Sequence, residues 1–109
     1  MIALMFLFLF SGLLLVALSV PMIIGKIPPN GLYGFRVKKT MENPDVWYPV
    51  NAYSGKWLLA AGIVQALAAV AFYRIPGISL DIYAYAVLGV WVVVFGAALT
   101  ASIRYLNSM

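Results

Sequence analysis

Few side chains in this protein can do chemistry, and most of them fall in one stretch. The segment from Lys26 to Lys56, KIPPNGLYGFRVKKTMENPDVWYPVNAYSGK, holds five of the seven basic residues, two of the three acids and four of the six prolines. Arg36 offers a planar fork of donors that fits a phosphate or carboxylate in bidentate fashion. Lys38 and Lys39 add point charges beside it. Asn30, Thr40 and Asn51 supply neutral donors and acceptors, and Trp47 a flat apolar face. Such a set binds an anionic group or the polar face of a peptide. Three readings of the basic cluster stand side by side: positive-inside anchoring at a membrane surface, a shaped anion site centred on Arg36, or an ion pair from Arg36 to Glu42 or Asp45.

Catalysis is a poor fit to this inventory. The chain has no cysteine and no histidine, which removes thiolate nucleophiles, imidazole bases, disulfides and the usual zinc ligands together. Only Glu42, Asp45 and Asp81 supply carboxylates. The remaining enzymatic route would need a phosphorylated substrate that brings its own metal. The expectation is therefore a non-enzyme with no cofactor and no resident metal.

The elements that carry these residues are built for lipid. Of the 109 residues 65% are hydrophobic and 9% charged, against about 25% charged in a soluble domain. The length suits one small membrane domain. The formal charge of +4 would suggest nucleic acid on a soluble protein. Beside membrane helices its counter-charge is anionic lipid headgroups, so nucleic acid is not expected as a partner.

Three spans follow from the apolar runs, since a crossing needs about 20 apolar residues. The first covers residues 2–25. It lacks the basic start and small-residue cleavage site of a signal peptide, so it reads as a retained helix, with Pro21 positioned to kink its last turns. Pro28-Pro29 ends it and Asn30-Gly31 marks a tight turn. The polar loop covers 26–48. Within it Leu32 to Val37 alternates aromatic with small or basic residues, so Tyr33 and Phe35 are expected to anchor in the headgroup layer. Asn43-Pro44-Asp45 reads as a helix start. Pro49 is expected to break or kink the junction before the second span, 50–74. Past it, Trp47, Asn51, Gly55 and Leu58 share one helical face, so Asn51 points where Trp47 points. Arg74 and Ile75-Pro76-Gly77 close that span, and the third covers 82–104.

Basic residues near the span ends set the orientation. Lys26, Arg36, Lys38, Lys39, Lys56 and Arg104 fall on one side and Arg74 on the other. The loop and C-terminus are thus expected in the cytoplasm and the N-terminus outside, in a multi-pass protein of the cell membrane. Trp47, Tyr48, Tyr53, Trp57 and Tyr105 would lie near the inner interface, and Tyr73, Tyr83 and Tyr85 near the outer one. Small residues permit close helix packing in lipid. Gly62, Ala66 and Ala69 of span two are expected to pack on Gly89, Ala97 and Ala101 of span three, leaving span one peripheral. Gln65, the strongly polar side chain in the middle of span two, is expected either to bond a neighbouring helix or to contact a polar ligand. The fold class is all-α integral membrane: three spans with a structured loop between the first two.

The loop also carries a recognisable pattern. Pro29, Asn30, Gly34, Arg36 and Thr40, then Asn43 and Trp47, then Asn51 and Gly55 form a run that resembles the signature of the SdpI family. That prokaryotic family is named for an immunity protein against a secreted, membrane-killing peptide toxin, whose founding type also signals by holding a transcriptional repressor at the membrane. Its domain is a three-helix membrane unit with this loop after the first helix. This chain departs from it at Ala52, where members often carry a basic residue, and at Pro49. The founding type has a further upstream membrane region. The resemblance implies an immunity or signalling role, with a peptide toxin or a regulatory protein as partner and Asn30, Gly34, Arg36, Lys38, Lys39, Thr40, Trp47, Asn51 and Gly55 as binding residues. Two alternatives use the same features: a binder of an anionic lipid or other phosphorylated amphiphile at the inner leaflet, and an oligomeric pore or helper subunit, since the small-residue faces permit a homo-oligomer.

Overall fold

The computed structural model describes residues 1–30 and 34–109. The turn expected at Asn30-Gly31 and the anchor expected at Tyr33 involve residues outside that set. Four helices follow in order: α1 (Ile2–Ile23), α2 (Lys38–Glu42), α3 (Pro44–Tyr73) and α4 (Leu80–Asn107). There is no strand among the described residues. Helices α1, α3 and α4 are each long and apolar enough to cross a membrane, which makes this a multi-pass membrane protein. The bundle measures 51 Å along its long axis.

Local chemistry sets the helix ends. Helix α1 runs through Pro21 and closes at Gly25, whose φ of 71° lets the Lys26 N–H reach back to the Pro21 carbonyl at 2.9 Å. At the start of α3 the Asn43 side chain accepts the Asp45 N–H at 3.0 Å, and Pro44 follows as the first helical residue. Ser79 caps α4 in the same way, accepting from Ile82 N–H at 3.2 Å.

Pro49 does not break the helix. Helix α3 is continuous from Pro44 to Tyr73 with Pro49 inside it, so the second span begins six residues earlier than expected. A proline here costs the Asp45 carbonyl its helical donor. Asp45 and Pro49 are both exposed, so that carbonyl lies where water or headgroups can serve it. The loop is correspondingly shorter than 26–48 and contains α2, which the sequence reading did not anticipate.

Helix α3 is the centre of the bundle, and span one is not peripheral. Helices α1 and α3 run antiparallel and meet backbone to backbone. A Cβ placed on Gly12 would lie 2.7 Å from the Gly62 carbonyl and 2.8 Å from the Ala66 nitrogen. One on Gly62 would lie 2.6 Å from the Gly12 carbonyl, and one on Gly55 would meet Met22 and Ile23 side chains and the Ser19 carbonyl. The small face of Gly62 and Ala66 therefore packs on α1, not on span three. Gly89 and Gly96, by contrast, face open space. Helix α4 packs on another side of α3 through hydrogen bonds. The Ser54 hydroxyl donates to the Ser102 hydroxyl at 2.8 Å, which donates to the Ala98 carbonyl at 2.8 Å. The Tyr83 hydroxyl donates to the Ala69 carbonyl at 2.7 Å. In lipid such bonds contribute about 0.6–2 kcal/mol each.

Candidate functional site

The described residues of the loop are held against the first turns of α3 by buried polar side chains that bond their backbone. Asn51 is buried, one turn beyond Trp47 on the same face of α3. Its Oδ1 accepts the Phe35 N–H at 2.6 Å, and its Nδ2 donates to the Trp47 carbonyl at 3.0 Å. The Phe35 carbonyl lies 3.5 Å from the same Nδ2 and takes the Thr40 hydroxyl at 3.0 Å. Thr40, also buried, accepts the Val37 N–H at 3.0 Å through its Oγ1. The Trp47 indole N–H donates to the Ile27 carbonyl at 2.8 Å. One tryptophan thus ties the exit from α1 to α3, while one asparagine and one threonine tie the segment before α2.

Gly34 makes the clamp possible. Its φ is 114°, in the left-handed region that side chains avoid. A Cβ there would stand 2.7 Å from Asn51 Oδ1 and 3.2 Å from the Trp47 ring. Phe35 then turns inward, packing on the buried cluster of Val46, Val50 and Leu106. Phe35 is half-buried there, between the start of α3 and the end of α4, and Trp47 is fully enclosed.

The expected site residues therefore separate into two kinds. Gly34, Thr40, Trp47 and Asn51 converge on the clamp; Gly34 is half-buried and the other three are buried. Arg36, Lys38 and Lys39 are exposed. Lys39 Nζ donates to the Leu106 carbonyl at 3.1 Å, so it ties α2 to the end of α4, where a cation also suits the helix dipole. Asn30 is half-buried and its amide donates to the Pro28 carbonyl at 2.8 Å. Gly55 lies apart from the loop, against Ser19 and Met22 of α1.

Gln65 is also apart, in the middle of α3. Its Nε2 donates to the Phe8 carbonyl of α1 at 3.1 Å, and its Oε1 is buried with no partner among the described residues. An unsatisfied buried acceptor costs about 1–3 kcal/mol.

Sequence reasoning missed Phe35 and Ile27 as backbone partners, and Ser54, Ser102 and Tyr83 as interhelical bonds. Gly12 and Ser19, small residues two turns apart on one face of α1, are the signal that could have found its contact with α3.

A protein-family model described as the SdpI/YfhL protein family matches residues 26–105. No curated protein and no solved structure matches the chain. The matched stretch begins at the loop and runs through α3 into the end of α4, so it contains every residue of the clamp.

Proposed function

The chain belongs to the SdpI/YfhL protein family, and from that premise we propose that it is an immunity-type membrane protein that protects against a membrane-active peptide or recognises a partner protein through the loop. Family membership supports the immunity-type role. The observation that carries the choice of site is the clamp: Gly34, Thr40, Trp47 and Asn51 are spent on holding the loop in one shape. A shape held this firmly leaves Arg36 and Lys38 on an exposed basic surface with a defined backbone beneath. Recognition is the work such a surface does, and the groups that catalysis needs are few. Six of the seven basic residues lie at the loop end of the bundle or in the loop, so this end faces the cytoplasm under the positive-inside bias.

Protection assays test the reading. A sensitive bacterium that expresses the chain is challenged with a panel of secreted membrane-active peptides. Wild type protects and Arg36→Ala protects less, at matched expression. Equal killing with and without the wild-type chain across the panel refutes the immunity role.

A second reading is favoured by one observation: Lys26, Arg36, Lys38, Lys56 and Arg104 are all exposed at the loop end. Positive charge gathered at that end suits an anionic headgroup of the inner leaflet. Native mass spectrometry then finds a retained anionic lipid on wild type that Arg36→Ala loses, and no retained lipid on either refutes it.

A further inference from the structure

The middle of the bundle holds a second feature, which the loop does not explain. Helix α3 packs on both α1 and α4, while α1 and α4 approach each other through the Phe8–Tyr83 ring pair, 6.1 Å between centroids. Beside that pair a crevice of about 360 Å³ opens sideways, lined by Phe8, Ser11, Leu14, Gln65, Val87 and Trp91 among others. Gln65 lies about 12 Å along α3 from both Trp57 and Tyr73, at 1.5 Å per residue, so the crevice opens into the hydrocarbon and not to water.

The chemistry of its wall is specific. The lining is apolar apart from Ser11 and Gln65. The Ser11 hydroxyl proton is spent on the Leu7 carbonyl at 2.7 Å. The Gln65 side chain is 2% exposed, and the bond from Nε2 to the Phe8 carbonyl fixes which way the amide faces. Reversing the amide would set two carbonyl oxygens against each other. The free group is therefore an acceptor, Oε1, without a partner among the described residues. Bulk water is remote at this depth, so the donor is a molecule dissolved in the membrane or a side chain of another membrane helix, and the crevice has room for the first. The volume lies in the range of small-molecule sites, which are mostly apolar with few polar groups.

We propose that this crevice is an intramembrane site for a lipid-soluble alcohol, a compact apolar body with one hydroxyl that donates to Gln65 Oε1 once the side chains covering that oxygen shift aside. An acyl chain would fill the space and leave the oxygen unmet. The site is separate from the loop surface and does not depend on the immunity reading.

Trp91 in the wall provides the readout. The full chain carrying Trp57→Phe is placed in lipid nanodiscs and titrated with bromoadamantanol, whose bromine quenches nearby tryptophan, and in parallel with its methyl ether, which has the same body and no donor. Trp47, enclosed at the far end, reports that the chain stays folded. The alcohol quenches saturably and binds at least about tenfold tighter than the ether, the worth of one good hydrogen bond. Gln65→Met removes that advantage and leaves the ether's binding unchanged. Leu88 also lines the crevice from an exposed position, so Leu88→Phe narrows it without touching the amide and weakens both. Equal binding of alcohol and ether to the chain with Gln65 intact overturns the proposal and returns Oε1 to a side chain of another membrane helix. Non-saturable quenching, or an advantage retained in Gln65→Met, overturns it as well.

Discussion

Asn51 Oδ1 accepts the backbone N–H of Phe35 at 2.6 Å, across sixteen residues of chain. The bond joins the segment before α2 directly to α3. With its Nδ2 on the Trp47 carbonyl, this amide acts with Thr40 to place the segment before α2, and so Arg36.

Removing the amide should release the loop. Asn51→Ala leaves the Phe35 N–H without its acceptor and opens a gap beneath Gly34, for a local loss of about 1–3 kcal/mol. Arg36, Lys38 and Lys39 are exposed trypsin sites. Limited trypsin digestion in detergent should cleave the variant faster at these residues, while the helices stay intact.

A change at Gly34 should do the same with Asn51 in place. Gly34→Ala forces a side chain onto a φ of 114° and into the Asn51 oxygen. The strain costs about 1 kcal/mol or more. Tryptic cleavage should again quicken, and Trp47 emission should shift to the red as its ring loses cover.

The α1–α3 contact should tolerate no bulk at its crossing. Gly12→Ile drives a side chain into the Gly62 carbonyl and Ala66, with a loss of about 1–3 kcal/mol. Gly89→Ile, on a face with nothing near it, should stay within about 0.5 kcal/mol of wild type. Thermal unfolding in mild detergent measures both, and the contrast between the two glycines is the test.

The serine pair between α3 and α4 should contribute less. Ser54→Ala removes the donor to Ser102, yet Ser102 keeps its bond to the Ala98 carbonyl. The expected loss is about 0.6 kcal/mol, seen as a small fall in the same melting temperature.

The spans were legible because hydropathy over twenty residues has few rivals as a signal. The i, i+4 spacing of Trp47 and Asn51 was legible for the same kind of reason: a helix leaves those two side chains no choice but a shared face. The loop's path was not. Phe35 reads as an interfacial aromatic, and nothing local signals that it packs on Val46, Val50 and Leu106, a cluster made by residues sixty positions apart. Pro49 misled because proline breaks helices in water-soluble interiors, while here it stands on an exposed turn. The partner of the Gly62 face was misassigned because α3 has small residues on several sides. Only Gly12 approaching Gly62 from α1 decides among them.

The central claim is that the loop is a shape held by Asn51 and not a tether. Amide hydrogen exchange at Phe35 in lipid nanodiscs tests it most directly. The account predicts that this N–H is protected in wild type, and that Asn51→Ala raises its exchange roughly 5- to 150-fold, the equivalent of 1–3 kcal/mol. The helical amides around Gln65 keep their protection in both. Exchange at Phe35 as fast in wild type as in a free peptide, or unchanged by Asn51→Ala, would contradict it.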